Sequence, residues 1–353
     1  MAASSRGRVV TFPAPGQVRL VDEDEAPLGA EGVRVETLYS GISAGTELTA
    51  YRGSNPYLQR RWDSARRLLV DRDAAPAYPV EGWGYEEVGR VLEAGPEVAE
   101  LEPGVLVWGA WGHRSSAVVP GRRAAECVLL EGLSPLDAVF ARIGAVALNA
   151  VLDAHIQLGE VVAVFGQGVP GLIATQLAAL SGATVVAVES IPRRLELAGA
   201  LGATHLVDVT REQPGEAIKG LTGGKGADVS IELSGSYQAL HEAVRATAYN
   251  SRVVASGFYQ GEGAALRLGE EFHHNRIELV SSQISGVHPR LDHRWSLARL
   301  EQTVMRLVAG ERVDVSALVS HVLPAEHAAE AFHLVDERPD EAVQVVLDFQ
   351  ERA

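Results

Sequence analysis

Residues 161–189 read VVAVFGQGVPGLIATQLAALSGATVVAVE: an apolar strand, a Gly-x-Gly-x-x-Gly turn, a helix, and a second strand that ends in an acid. Gly166 permits the tight turn out of the strand, Gly168 lets the main chain approach a diphosphate with no side chain in the way, and Gly171 allows the helix to pack closely on the sheet. Pro170 suits the first helical turn, where its missing N–H costs nothing. The helix N-terminus offers unpaired N–H groups and the positive end of a dipole to two phosphates. Glu189, 18 residues after the last glycine, stands where a carboxylate accepts hydrogen bonds from ribose hydroxyls. The stretch therefore predicts a dinucleotide cradle, in which Val169, Arg194 and Ser234 are counted with the three glycines, Pro170 and Glu189. NAD is the expected cofactor, because Glu189 would repel a 2′-phosphate. Arg193 and Arg194 bear on the same choice, since an arginine pair can hold such a phosphate or cover the adenine face.

Two plainer readings compete. The 28 residues Val161 to Val188 carry no charge, as a membrane span would, but Gly166, Gly168, Gly171, Gly182 and Pro170 interrupt any apolar helix long enough to cross. A structural βαβ unit with a chance glycine pattern is the other.

At 353 residues the chain can bury a full core and is expected to form two domains. Its net charge of −15 argues against a nucleic acid or an anionic membrane as partner. The start, MAASSRGRVV, has no apolar leader and Cys127 is the only cysteine, so an internal disulfide is impossible and a cytoplasmic location is expected.

Residues 1 to about 140 hold short apolar runs broken by glycine and proline, which predicts a β-rich, partly barrel-like domain. From about 145, strands and helices alternate. Strands are expected at 161–166, 184–189, 205–208, 227–233, 251–257 and 276–283, with helices starting at Pro170, Pro192, Glu216 and Tyr237. That order predicts an α/β fold with a doubly wound parallel sheet over 145–285 and its ligand at the carboxyl ends of the strands. The two helical stretches and the strand AVQVVLDF after residue 285 are expected to return to the first domain, giving 1–144 with 286–353. Residues 52–72 mix six arginines with Leu58, Trp62, Leu68 and Leu69, which predicts an amphipathic helix, either a solvated face or a guide for a polar substrate.

A β-rich front, an inserted dinucleotide fold and a short C-terminal return resemble the medium-chain dehydrogenase/reductase family over essentially the whole chain, with a GroES-like catalytic domain. SGISAGTEL (40–48) is similar to the family's first catalytic-loop motif, YPVEGWGYEEVGRV (78–91) to its Gly-His-Glu motif, and RRLELAGALGATHLVD (193–208) to its second helix and third strand. Gly-Thr-Glu (45–47) and Gly-Tyr-Glu (84–86) resemble bacteriochlorophyllide dehydrogenases, while LGEEFHHNRIEL (268–279) and the same Gly-Thr-Glu resemble bacterial glycoside 3-dehydrogenases. Where zinc members carry their three catalytic ligands, this chain has Ser43-Ala44, Tyr85 and the Arg142–Gly144 region, so the resemblance points to a zinc-free branch with no metal ligand set.

The resemblance implies a homodimer paired along the strand at 276–283 and a set of catalytic candidates. Thr46 matches the position whose hydroxyl touches the substrate oxygen and relays its proton. Tyr85 stands in place of the zinc histidine and could donate to a carbonyl oxygen or pack in a wall. Glu47 and Glu86 could supply a base, or could only hold loop amides. His274, next to His273 after the fifth strand, and His113 are further candidates for a base, each against an ordinary structural role. Together these imply an NAD-dependent, zinc-independent dehydrogenase acting on a secondary alcohol of a polar ring, the polarity inferred from Thr46, Glu47, Asn55, Tyr57 and Glu86. The alternatives are an NADPH-dependent reductase of activated C=C bonds and a nicotinamide-binding protein without catalysis.

Overall fold

The computed structural model describes residues 6–72 and 77–350, so the first five residues, read above for a leader, lie outside it. The chain divides into two compact units, residues 1–142 with 319–353 and residues 143–318.

Unit 1 begins with β1 (Arg6–Phe12), β2 (Arg19–Asp24), β3 (Gly32–Gly41) and the short helix α1 (Glu47–Arg52). A hairpin follows, β4 (Arg60–Asp63) and β5 (Leu68–Asp71), and then β6 (Val80–Glu81), β7 (Glu87–Ala94), β8 (Leu106–Gly109), β9 (Ser116–Pro120) and α2 (Gly121–Ala125). The predicted amphipathic helix over 52–72 is not formed. Gly53, at φ 77°, ends α1, and Asn55 caps a single turn over Pro56–Leu58. Asp63 then accepts from the Arg66 amide at 2.9 Å and Arg67 turns left-handed at φ 53°, so the remaining residues pair as a hairpin. Turn chemistry outweighs the apolar spacing here.

Unit 2 opens inside α3 (Phe140–Ala154), where the division falls. It continues through β10 (Val161–Phe165), α4 (Val169–Leu180), β11 (Thr184–Glu189), α5 (Pro192–Ala200), β12 (His205–Asp208), α6 (Pro214–Leu221), β13 (Ala227–Glu232), α7 (Tyr237–Ala246), β14 (Thr247–Ala255) and β15 (Glu278–Ser281). The strands form one six-stranded sheet in the order β12-β11-β10-β13-β14-β15, parallel throughout. Val162, Ala163, Val164 and Phe165 are all buried, as expected of a strand covered on both faces. The chain reverses direction across the sheet between β10 and β13, which is the switch point where such sheets hold ligands. This is the doubly wound fold read from the sequence. The last strand is shorter than expected because Arg276 is left-handed at φ 52°.

Helix α8 (Leu297–Ala309) also belongs to unit 2, whereas the sequence reading gave residues after 285 to the first domain. Its apolar face, Leu300, Val304, Met305 and Val308, is buried, and Val304 lies where a side chain at Gly144 on α3 would stand. The return to unit 1 comes only with β16 (Val319–Pro324), α9 (Ala328–Glu337) and β17 (Gln344–Asp348). β17 pairs antiparallel with β3, Val346 opposite Gly41, in a sheet ordered β16-β17-β3-β7-β8 with β9 also on β3.

Candidate active site

In unit 2 the glycine turn is tight and closely packed. Gly166, at φ 84°, leaves β10 with Ser234 so close that a Cβ would meet its Cβ at 2.8 Å. A Cβ on Gly171 would fall 1.8 Å from the Gly166 carbonyl oxygen, whereas one on Gly168 would meet only an Arg194 guanidinium nitrogen, at 4.0 Å. Val169 and Pro170 open α4, with Gly168 extended at its N-cap and no side chain capping it, so the first amides of the helix face the turn unclaimed by a side chain. Glu189 ends β11 and already organises the loops around it: one oxygen accepts from the Gln167 amide at 2.8 Å, the other from the Ser190 and Ile191 amides at 2.6 and 3.2 Å. A carboxylate offers about four lone pairs, which leaves its first oxygen room for a further donor.

Ser234 lies against Gly166, and its hydroxyl is engaged, donating to Glu232 at the end of β13. Glu232, missed in the sequence, accepts also from the Ser234 amide at 2.7 Å and from the Tyr259 hydroxyl. Burial pushes its carboxyl up from the ordinary range against those hydrogen bonds. Its work is to hold the Leu233–Ser236 turn against Gly166. An acid closing a buried strand two residues before Ser-Gly-Ser was the available signal.

In unit 1 the ends of β3, α1 and β7 gather a buried polar group. Ser43 and Tyr85 share a short hydroxyl–hydroxyl hydrogen bond. Burial holds the Tyr85 phenol far above its ordinary range, with the Glu86 and Glu47 charges adding to this and hydrogen bonding with Ser43 and Thr46 opposing it. The phenol therefore stays protonated and can donate a hydrogen bond, either hydroxyl of the Ser43–Tyr85 pair being able to act as donor to the other. The Thr46 hydroxyl makes no cap to α1, so the helix does not consume it.

Behind these hydroxyls lie Glu47, Glu86, Glu87 and His113, each no more than 1% exposed. His113 bridges two of them: its Nε2 lies 2.6 Å from Glu47 Oε2, and its Nδ1 is 2.6 Å from the Ser40 hydroxyl, which reaches Glu87 at 3.1 Å. Burial alone would lower the His113 pKa, but the Glu47 contact and the Glu87 charge outweigh it and raise it. His113 is thus an internal cation for two carboxylates, a structural counter-ion as much as a base. Glu87 takes a further hydrogen bond from the Trp111 amide at 2.7 Å. Glu86 has no hydrogen-bond partner on either oxygen, and its carboxyl sits over Gly41, where a Cβ would meet it at 2.6 Å.

Three buried carboxyls against one imidazolium cannot all be ionised, and the one without donors keeps its proton. Burial, then the Glu47 and Glu87 charges, raise the Glu86 pKa well above the usual range, against the pull of the nearby Gln344 amide, which lies outside good hydrogen-bond geometry. A group whose folded pKa lies above its unfolded one adds stability below the unfolded value, near 4.3, and loses it as pH rises through the folded value. We predict that the urea midpoint of the wild type falls between pH 5.5 and pH 8.5. Glu86→Gln should flatten that fall; an equal slope in the variant would mean that Glu86 ionises normally.

Other sequence candidates are placed elsewhere. Asn55 is buried and spends its amide on Thr49 at 2.6 Å and on the Tyr57 amide, so it braces its loop, and Tyr57 is exposed. His274 lies in unit 2, exposed, its ring edge-on to His273 at 5.3 Å, and is not part of the buried group. Among the described residues no helix is long and apolar enough to cross a membrane.

Comparison with known proteins agrees with this architecture. Residues 170–315 match the zinc-binding dehydrogenase family. D-guloside 3-dehydrogenase of Escherichia coli K12 is 28% identical over 345 residues, covering 95% of this chain and 98% of the relative. Two solved structures share the fold. One, described as a zinc-binding dehydrogenase of Sinorhizobium meliloti 1021 bound to NADP, has a TM-score of 0.79 at 21% identity, covering 98% of this chain and 99% of that one. L-idonate 5-dehydrogenase of Escherichia coli K-12 has a TM-score of 0.78 at 18% identity, covering 98% of each. In fold the chain is similar to medium-chain dehydrogenases, and in sequence to the zinc-binding dehydrogenase family over residues 170–315 and to a sugar dehydrogenase over nearly its whole length.

Proposed function

We propose that the chain is a nicotinamide-dependent dehydrogenase that oxidises a secondary alcohol on a polar ring, such as a sugar or glycoside hydroxyl, or reduces the matching ketone, without a catalytic zinc. The observation that carries this is the Ser43–Tyr85 hydroxyl pair with Thr46 beside it, backed by the buried carboxyls of Glu47 and Glu86. The donor set does not suit zinc, which favours thiolate and imidazole nitrogen. Ser43 and Tyr85 are hydroxyls, and both nitrogens of His113 are engaged by Glu47 and Ser40. The full-length likeness to a D-guloside 3-dehydrogenase supports a ring hydroxyl as the reacting group.

The glycine turn, the unclaimed amides of α4 and Glu189 fit a dinucleotide, with Gly166, Gly168, Val169, Pro170 and Gly171 against its diphosphate. When bound, the nicotinamide supplies the hydride acceptor. Thr46 and Tyr85 donate hydrogen bonds to the substrate oxygen as charge grows on it, and its proton passes through these hydroxyls toward Glu47 and, once the pH has risen through its raised pKa, Glu86. A carboxyl whose pKa is raised by burial is a stronger base once it is ionised. A cytoplasmic homodimer joined along β15, the edge of its sheet, belongs to the same reading.

A screen of polyols, sugars, glycosides and enones against both nicotinamides, with metal quantified on the same preparation, tests the proposal. Turnover of a ring alcohol with less than stoichiometric zinc is expected; turnover that needs zinc, or that is confined to enones, overturns it. NADH should bind at least about tenfold tighter than NADPH, a difference of about 1.4 kcal/mol, and Glu189→Gln should narrow that ratio. Equal affinities in the wild type would give the deciding role to Arg194.

A further inference from the structure

We propose that His241, Glu270 and Glu271 form a binding site for a divalent transition cation within unit 2, separate from the buried group of unit 1. One potential ligand atom from each lies within 4.8 Å of the others. A tetrahedral ion with bonds of about 2.1 Å holds its ligand atoms about 3.4 Å apart, a contraction of at most about 1.4 Å toward which the half-exposed Glu270 side chain can move.

Two orphaned groups point to a ligand there. His241, on α7, is 5% exposed, and its Nδ1 has no hydrogen-bond partner. Glu271 Oε2 is also shut from water and has no donor. Buried polar atoms are nearly always satisfied, and an ion is one way to satisfy them. The backbone explains how consecutive acids converge. Neighbours on a regular helix point about 100° apart, but Glu270 is non-helical at φ −100°, ψ −124° inside the turn Leu268–Phe272.

Nearby cations touch the two carboxylates only at long range. Arg245 pairs with Glu242 at 2.7 Å and reaches only the other Glu271 oxygen, at 3.5 Å. Lys219 donates to the Lys225 and Thr247 carbonyls at 2.9 and 3.0 Å, and Arg267 approaches Glu270 at 3.6 Å. One imidazole and two carboxylates, with no thiolate, suit Zn²⁺, Co²⁺ or Mn²⁺ better than Ca²⁺, which takes six to eight oxygens. The ion would staple α7 to the segment between β14 and β15.

The full chain, stripped with chelator, is titrated with Zn²⁺ alone by calorimetry and with Co²⁺ by visible absorption. One ion per chain is expected, with a tetrahedral or five-coordinate cobalt spectrum and a higher Tm. Glu270→Gln, at a half-exposed position that the fold does not need, and His241→Gln should each weaken binding by at least about tenfold. Glu86→Gln should leave it intact. No uptake by the wild type, or uptake unchanged by Glu270→Gln in a chain with wild-type circular dichroism, overturns the site.

Discussion

Gly171→Ala is expected to loosen both the fold of unit 2 and its hold on a dinucleotide. The added methyl would stand 1.8 Å from the Gly166 carbonyl oxygen, which is backbone and cannot rotate away. Helix α4 must therefore back off from β10, and its buried residues Leu172, Ile173, Leu177 and Ala178 move with it. Overpacking of this kind costs about 1–3 kcal/mol, or roughly 3 to 10 °C in Tm for a unit of this size. The same retreat pulls the first amides of α4 from where the phosphates would lie, so the Kd for NADH should rise at least about tenfold. Gly168→Ala separates the two effects. Its φ is −70°, ordinary for alanine, and its methyl would meet nothing closer than Arg194 at 4.0 Å. The fold should be unchanged while the methyl projects into the cradle and weakens the dinucleotide. Calorimetric Tm and NADH titration on both variants check this, and wild-type values for Gly171→Ala in both would remove the cradle from the argument.

That the cradle could be read from sequence while much of unit 1 could not has a physical cause. Between Val161 and Glu189 every constraint is local: the turn needs glycine within six residues, and the parallel strand must be apolar on both faces. The hydrogen bonds of the buried acid group join residues far apart in the chain, Glu47 to His113 and Ser40 to Glu87, so no window contains them. One signal was available and passed over. Glu86 and Glu87 are consecutive at the start of a strand, where successive side chains point to opposite faces. If both faces are covered, as they are at the start of β7, neither acid can escape burial. Helix α8 shows a different limit, since its apolar stripe was legible but which unit would cover it was not. Over 52–72 the apolar spacing was misleading because Gly53, Pro56 and the Asp63–Arg66 turn break the chain before a helix can form.

Tyr85→Phe is expected to lower kcat about 10²- to 10³-fold on whichever ring alcohol the wild type turns over, the usual effect of losing one aimed donor to a developing oxyanion. KM and the Kd for NADH should change little, because the phenol is asked to bind charge that exists only in the transition state. Its pKa is held far above the ordinary value, chiefly by burial, so the phenol is neutral across any working range and contributes no limb to the pH profile. A limb in the oxidation rate should come instead from Glu86, which becomes a base only as the pH climbs through its raised pKa. Thr46→Ala should give a loss of similar order, and the double variant less than the product of the two, since both hydroxyls serve one oxygen. Steady-state kinetics of the three variants decide the matter. A Tyr85→Phe enzyme within about threefold of wild type would reduce Tyr85 to packing beneath Ser43 and leave Thr46 as the sole donor, while losses that multiply would mean that the two hydroxyls act on different atoms.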